Sequence, residues 1–305
     1  MKIEDSMRMA TRQATNRYLV DTPCRPVPIH SNAMTPPKIL TIPVPDRTPQ
    51  TAANRTEPPS VGAIAVTAVA AGVLAAGAYA YAGMWPTSQI FGRCVVAAKN
   101  SRQIALTFDD GPNDPDTHRL LEVLAKHGVR ATFFMIGRFV RQRPEIARAV
   151  AAAGHLIGNH TMTHPLLLIR PPKVVRQELR DCNAALEDAL GAPVRWFRPP
   201  HGGRRPDVLR AARELGLTPV LWNAMGYDWK PTTADAVEQN ILRGFRRNVR
   251  GGNATNALLH DGGQAALGQD RRHTVVAADR LIQRWKDEFA LRGEVCEFVT
   301  PEAWA

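Results

Sequence analysis

Residues able to do chemistry gather in five short stretches of this chain. The first, ALTFDDGPN (105–113), sets Asp109 and Asp110 side by side where an apolar run breaks into Gly-Pro. On a plain strand adjacent side chains point to opposite faces. The pair therefore either dissolves into a solvated turn or divides two tasks. GNHTMTHP follows, with His160 and His164 four apart. FRPPHGG carries Arg198 and His201, WNAMGYDW carries Asp228 and Trp229, and LLHDGG carries His260 and Asp261. Singly these are weak signals. Two histidines at that spacing are more often surface or capping residues, and a lone aspartate after a strand is usually a helix cap. Capping does not account for five such stretches in a row.

One aspartate and two histidines form a sound three-ligand set for a catalytic divalent cation with a position left for water. Pro165 disfavours helical geometry at His164, so the histidines are expected on a turn rather than mid-helix. A cation acidifies the water it binds, and the second carboxylate of the pair can then accept a proton. Asp109 must be kept from collapsing onto the cation, a role suited to a guanidinium such as Arg198. His260, protonated and paired with a carboxylate such as Asp228, is a candidate acid for a leaving group.

These residues need a scaffold, and from about residue 102 the chain alternates strand and helix signals. Strands are expected at 103–108, 131–136, 155–158, 194–197, 218–222, 256–259 and 294–299. Between them, Leu120 and Leu124 share a helical face before a Gly128 stop, and Pro144 opens a second helix. A third carries Val175, Leu179, Cys182 and Leu186 and ends at Gly191. Thr233 and Thr274 read as N-caps of two more. The alternation predicts an α/β fold with parallel strands. The five stretches then fall at strand ends, where α/β barrels place their sites.

The flanks read differently. Residues 1–60 are rich in Pro, Thr, Arg and Asn with no hydrophobic period, and are expected to be disordered. No charge occurs from Pro58 to Gly92, and residues 61–85 are long enough to span a bilayer, although mostly alanine. We read them as a membrane anchor. The alternative is the core of a cleaved signal peptide, given the A-x-A triplets at 78–80 and 80–82. Residues 86–101 are read as a linker to the domain at 102–300. That domain is placed outside the cytoplasm on a single-pass inner-membrane protein, or is secreted if the signal is cleaved.

A net charge of +11 raises nucleic acid as a partner, but the arginines are scattered and no zinc-finger, RNP-like or P-loop pattern occurs. An anionic envelope polymer or lipid surface fits the excess better. No obligate protein partner is expected. The four cysteines contain no C-x-x-C, and two of Cys94, Cys182 and Cys296 are open to pairing if the domain is exported. His118, His127 and His155 are read as structural, His273 as a solvated helix start, and Trp222 as core.

TFDDGPN, HTMTH, FRPPHG, the Asp-Trp of GYDW and LLH together resemble, in order and spacing, the five motifs of the polysaccharide deacetylases, the NodB-homology group. The resemblance covers about residues 102–300. It implies a distorted (β/α)7-type barrel and metal-dependent removal of N-acetyl, sometimes O-acetyl, groups from chitin-like glycans, peptidoglycan or related polymers. It implies Asp109 as base, with Asp110, His160 and His164 holding the metal, zinc in most relatives. Arg198 would tether Asp109 and Asp228 would orient the acid His260. Leu258 and Trp229 would line the acetyl pocket, and the backbone N–H of His201 would meet the oxyanion. Two positions depart from the family pattern: His201 stands where Tyr or Phe is usual, and Met225 where an earlier Asp is common. The rival readings are a metal amidohydrolase on a small cyclic amide or imide, and a non-catalytic glycan-binding module.

Overall fold

The computed structural model describes residues 61–305, with side chains described from Val69 onward, so the expected disorder of 1–60 lies outside the described residues. The chain enters through helix α1 (Val61–Met84) and reaches strand β1 (Gln103–Gly111). Then follow α2 (Asp116–His127), β2 (Thr132–Met135), α3 (Gly137–Gln142), α4 (Pro144–Ala152), β3 (Leu156–Asn159) and α5 (Pro172–Leu190). The second half runs β4 (Trp196–Phe197), α6 (Pro206–Glu214), β5 (Thr218–Pro219), β6 (Ala224–Met225), α7 (Ala234–Arg250), β7 (Thr255–His260), α8 (Arg272–Ala290) and β8 (Glu297–Phe298).

Local signals account for most of these boundaries. Gly128 and Gly191 take left-handed φ of 65° and 67° at the ends of α2 and α5. Pro144 occupies the first turn of α4, and the Thr233 hydroxyl caps α7 by accepting from Ala236 N–H at 3.2 Å. Thr274 departs from expectation: α8 begins at Arg272, and Thr274 is buried in its first turn. Its hydroxyl is engaged elsewhere, as described below. Sequence reading also missed α3 and β6, which are too short to show a period.

All strand pairings are parallel, in the order β5-β4-β3-β2-β1-β7-β6, with β8 also pairing β1. Every residue of β1 after Gln103 is buried, as a parallel sheet covered on both faces requires. The core lies between sheet and helices, with Phe108, Phe133, Phe245 and Trp285 at its centre. The expected (β/α)7-type barrel takes the form of a curled half-barrel, because the ladder does not close between β5 and β6. Strands of two residues offer too few ladder bonds to close it.

The chain before β1 bridges that seam instead. Val95 N–H donates to Pro219 O and Leu221 N–H to Val95 O, both at 2.8 Å. On the other side Ala254 N–H donates to Ala98 O at 2.9 Å, and Asn256 Nδ2 to Val96 O at 3.1 Å.

From Val69 to Tyr81 every residue of α1 is exposed, and the helix is buried against the body at Ala82 and Gly83. A Cβ at Gly83 would lie 2.8 Å from Leu168 Cδ1 and 3.0 Å from Arg204 O, so this contact requires glycine. Among the described residues no helix is long and apolar enough to cross a membrane, so the spanning anchor read at 61–85 is not shown. Cys94, Cys182 and Cys296 are all buried free thiols, so none of the pairings left open by the sequence is formed. Burial pushes the Cys182 thiol up to about 12.

Candidate active site and metal centre

The strand ends deliver the five stretches to one cavity of about 550 Å³. Asp109, Asp110, His160, His164, His201, Trp229, Leu258 and His260 all line it. Arg198 and Asp228 lie beneath, each fully buried.

β1 brings both carboxylates to the same side by breaking its own alternation. Its ladder to β2 pairs Asp109 with Phe134 and Gly111 with Met135, so Asp110 is a bulged residue, and it takes φ of +69°. Among the described residues the non-glycine positive-φ positions are Asp110, Thr161, His164, His201 and Tyr227. Each either lines the cavity or adjoins a residue that does. Such conformations are costly and persist where surrounding structure holds them. The expected turn at His164 is present, in left-handed rather than extended form.

Asp110, His160 and His164 each offer a ligand atom, all within 4.8 Å of one another. His164 Nε2 lies 3.1 Å and His160 Nε2 3.4 Å from Asp110 Oδ1. That oxygen is buried yet has no partner in hydrogen-bond geometry. Atoms aimed at a common point rather than at each other give this arrangement. Tetrahedral ligands about 2.0–2.1 Å from one ion are themselves roughly 3.3 Å apart. The donor set therefore fits a divalent cation. His160 Nδ1 donates to Arg198 O at 2.8 Å, which leaves the Nε2 lone pair facing Asp110. Burial, with the neighbouring His160, lowers the His164 pKa to about 3 and keeps that ring neutral, as a ligand must be. Burial alone would raise the Asp110 pKa, but the His160 contact and the fields of His164 and His260 outweigh it, holding the carboxyl well below the usual range.

Asp109 is held differently. Arg198 Nη1 donates to its Oδ1 at 2.8 Å and to Thr107 Oγ1 at the same distance, while the guanidinium stacks 4.2 Å over the Phe134 ring. Asp109 Oδ2 is turned toward the ligands, 3.6 Å from His160 Nε2.

A family model described as Polysaccharide deacetylase matches residues 97–220. A chitooligosaccharide deacetylase of Rhizobium leguminosarum bv. trifolii is 38% identical over 166 residues, spanning 54% of this chain and 74% of its own length. This chain belongs to the polysaccharide deacetylase family. Its members are hydrolases acting on acetylated glycans. A peptidoglycan-N-acetylglucosamine deacetylase of Bacillus cereus is 32% identical over 191 residues, covering 62% of this chain and 84% of its own. The structure of a family 4 acetyl xylan esterase from Clostridium thermocellum, in complex with a cobalt ion, matches with a TM-score of 0.55 at 31% identity, covering 66% and 89% of the two chains.

Also lining this deacetylase-family cavity is His260, paired across the β1–β7 ladder with Asp109. Asp228 grips it twice: Oδ1 lies 2.8 Å from His260 Nδ1, and Oδ2 accepts the His260 backbone N–H at 2.7 Å. Thr274 Oγ1 donates to Asp228 Oδ2 at 2.8 Å, and His273 Nε2 lies 2.8 Å from Asp228 O. Of the residues read as a helix cap and a solvated helix start, Thr274 thus braces the Asp228 carboxylate and His273 its backbone carbonyl; no sequence signal marked either. Burial opposes the His260 charge, but Asp228 outweighs it and raises the pKa to about 9. Trp229 packs edge-on to His260 at 5.3 Å, and Leu258 is buried on β7. His201 sits in the short 3-10 turn Pro200–Gly202 with φ of +56°, its ring edge-on to His164 at 4.7 Å. Trp222, read as core, is buried but also lines the cavity.

Asp261, quoted in LLHDGG without a role, is fully buried and accepts from Thr117 Oγ1 at 2.5 Å. Its backbone N–H donates to Asp109 O at 3.2 Å, and Asn113 Nδ2 donates to its carbonyl at 3.0 Å. A Cβ at Gly111 would sit 2.3 Å from Asp261 Oδ2, which explains the glycine after the two aspartates. Burial raises the Asp261 carboxyl to about 7.

Proposed function

We propose that this chain removes N-acetyl, and in some substrates O-acetyl, groups from glycans of the chitin or peptidoglycan kind, using a divalent metal, with zinc the natural choice for one carboxylate and two imidazoles. The observation that carries this reading is the separation of the two aspartates, one aimed at two imidazoles and the other held by Arg198. Asp110 Oδ1, His160 Nε2 and His164 Nε2 would hold the ion. When bound, it would polarise the acetyl carbonyl and bring the pKa of water toward roughly 7.

The chain's own residues supply the rest. Asp109, fixed by Arg198, accepts the proton of the attacking water at Oδ2. His260, kept an imidazolium by Asp228, donates its proton to the leaving amine. Trp229 and Leu258 enclose the acetyl methyl group, and the His201 N–H faces the developing oxyanion. The intact ligand set, base and acid favour catalysis over a glycan-binding module without activity.

The test is acetate release from N-acetylglucosamine oligomers, peptidoglycan and acetyl-xylan, with and without chelator. We expect release that chelation stops and zinc restores. No release from any substrate by the metal-loaded protein would overturn the reading.

We extend the proposal to location: the chain acts outside the cytoplasm, held to a membrane through residues 61–85, or free if cleaved near residue 82. Val69, Val73 and Leu74 on α1, each about two-thirds exposed or more, support this. Membrane fractionation, with N-terminal sequencing of the mature chain, tests it.

A further inference from the structure

A second groove opens from the catalytic cavity. It measures about 610 Å³ and shares Trp222, Met225 and Tyr227 with the cavity. Beyond them it is lined by Trp85, by Arg243 and Arg247 of α7, and by Asn240 and Asn253. Trp85, Arg243 and Arg247 all lie outside the stretch, 97–220, that matches the family model.

The Trp85 wall is built rather than incidental. Arg204, 1% exposed, donates from Nη2 to the carbonyls of Trp85 at 2.9 Å and of Ser88, and from Nη1 to Gly202 O at 3.1 Å. A fully buried guanidinium thus ties the turn after α1 to the loop that carries His201. The Tyr81 ring stacks on Trp85 at 6.0 Å, leaving the indole 55% exposed. Tyr227, 46% exposed, presents another aromatic face where groove and cavity meet.

The charge of the groove is one-sided. No acidic side chain lines it among the described residues, and Met225 at the junction carries no charge. Arg247 donates to the Asn223 carbonyl, a neutral partner. Aromatic faces and amides suit any sugar, but two guanidiniums facing a groove without carboxylates select an anion.

We propose that this groove is a subsite for a carboxylate-bearing sugar adjoining the residue that is deacetylated, as in a strand containing N-acetylmuramic acid rather than a neutral chitin-type oligomer. This rests on the deacetylase reading of the cavity, and names the substrate class within it.

The full chain is titrated by calorimetry with three probes: a tetrasaccharide of alternating N-acetylglucosamine and N-acetylmuramic acid, its methylamide, and chitotetraose. The free carboxylate form should bind about tenfold more tightly than the methylamide, the scale of one charge-assisted contact. Arg243→Gln/Arg247→Gln should abolish that preference, and the single Arg243→Gln should reduce it if the double variant fails to fold. Trp85→Ala should weaken all three probes alike. Equal affinity for carboxylate and methylamide, or full affinity in Trp85→Ala, overturns the subsite. Acetate release is scored separately. Its absence with all three probes while the binding preference persists would sink the deacetylase reading and leave the subsite standing.

Discussion

Asp109 and Asp110 are consecutive on one strand, yet both carboxylates enter the same cavity, because Asp110 is bulged out of the β1–β2 ladder. Asp109 Oδ1 then meets Arg198 Nη1 at 2.8 Å, while Asp110 Oδ1 lies 3.1 Å from His164 Nε2. Two residues identical in chemistry acquire different partners from one backbone irregularity.

Both Asp109→Asn and Asp110→Asn should lose activity, for different reasons. Asn at 110 replaces an anionic ligand with a poor neutral one, so metal affinity should fall sharply. Asn at 109 leaves the ligands in place and removes the proton acceptor, with a rate loss of roughly 10²–10⁴-fold. Metal analysis and acetate release on the two variants side by side check this. Metal lost from Asp109→Asn but kept by Asp110→Asn would reverse the assignment.

His160→Ala and His164→Ala should each abolish tight metal binding, since two protein ligands seldom hold a catalytic zinc. Elemental analysis after dialysis reads the result directly. Full occupancy in either variant would place the metal elsewhere.

The Asp228–His260 pair sets a pH limit. His260 is raised from 6.5 to about 9, so the acid is available at neutral pH and kcat/KM should fall above about pH 9. In Asp228→Asn, burial is opposed only by the fields of Asp110 and Asp109, and this limb should move down by more than about one pH unit. The same shift bears on stability. A raised folded-state pKa stabilises fully below the unfolded value of 6.5, and that contribution is lost as pH rises through 9. An alkaline limb unchanged in Asp228→Asn would remove His260 from the role of acid.

The turn after α1 should matter to folding. A chain starting near residue 95 lacks the Gly83, Trp85 and Ser88 carbonyls that accept from Arg204. Urea unfolding should show it less stable than one starting near residue 80 by at least about 2 kcal/mol, because a buried guanidinium loses its acceptors. Arg204→Met should shrink that difference. Equal stability of the two starting points would show that the clamp adds nothing.

The sequence by itself determined the α/β class, the helix stops at Gly128 and Gly191, and the stretches that meet in one cavity, because periodicity, capping chemistry and ligand types are local properties. Tertiary structure decided what local signals do not carry. The bulge at Asp110 depends on pairing with β2, and the seam between β5 and β6 is bridged by residues before the first strand. Thr274 and His273 turn from helix-start residues into braces of Asp228 only when α8 packs beside the end of β7. Asp261 donates its backbone N–H to Asp109 O, and its carbonyl accepts from Asn113 Nδ2, 148 residues earlier in the chain. Each of these joins segments distant along the chain, and the free energy that selects them comes from burial and hydrogen-bond satisfaction across the whole sheet, which no short window of residues contains.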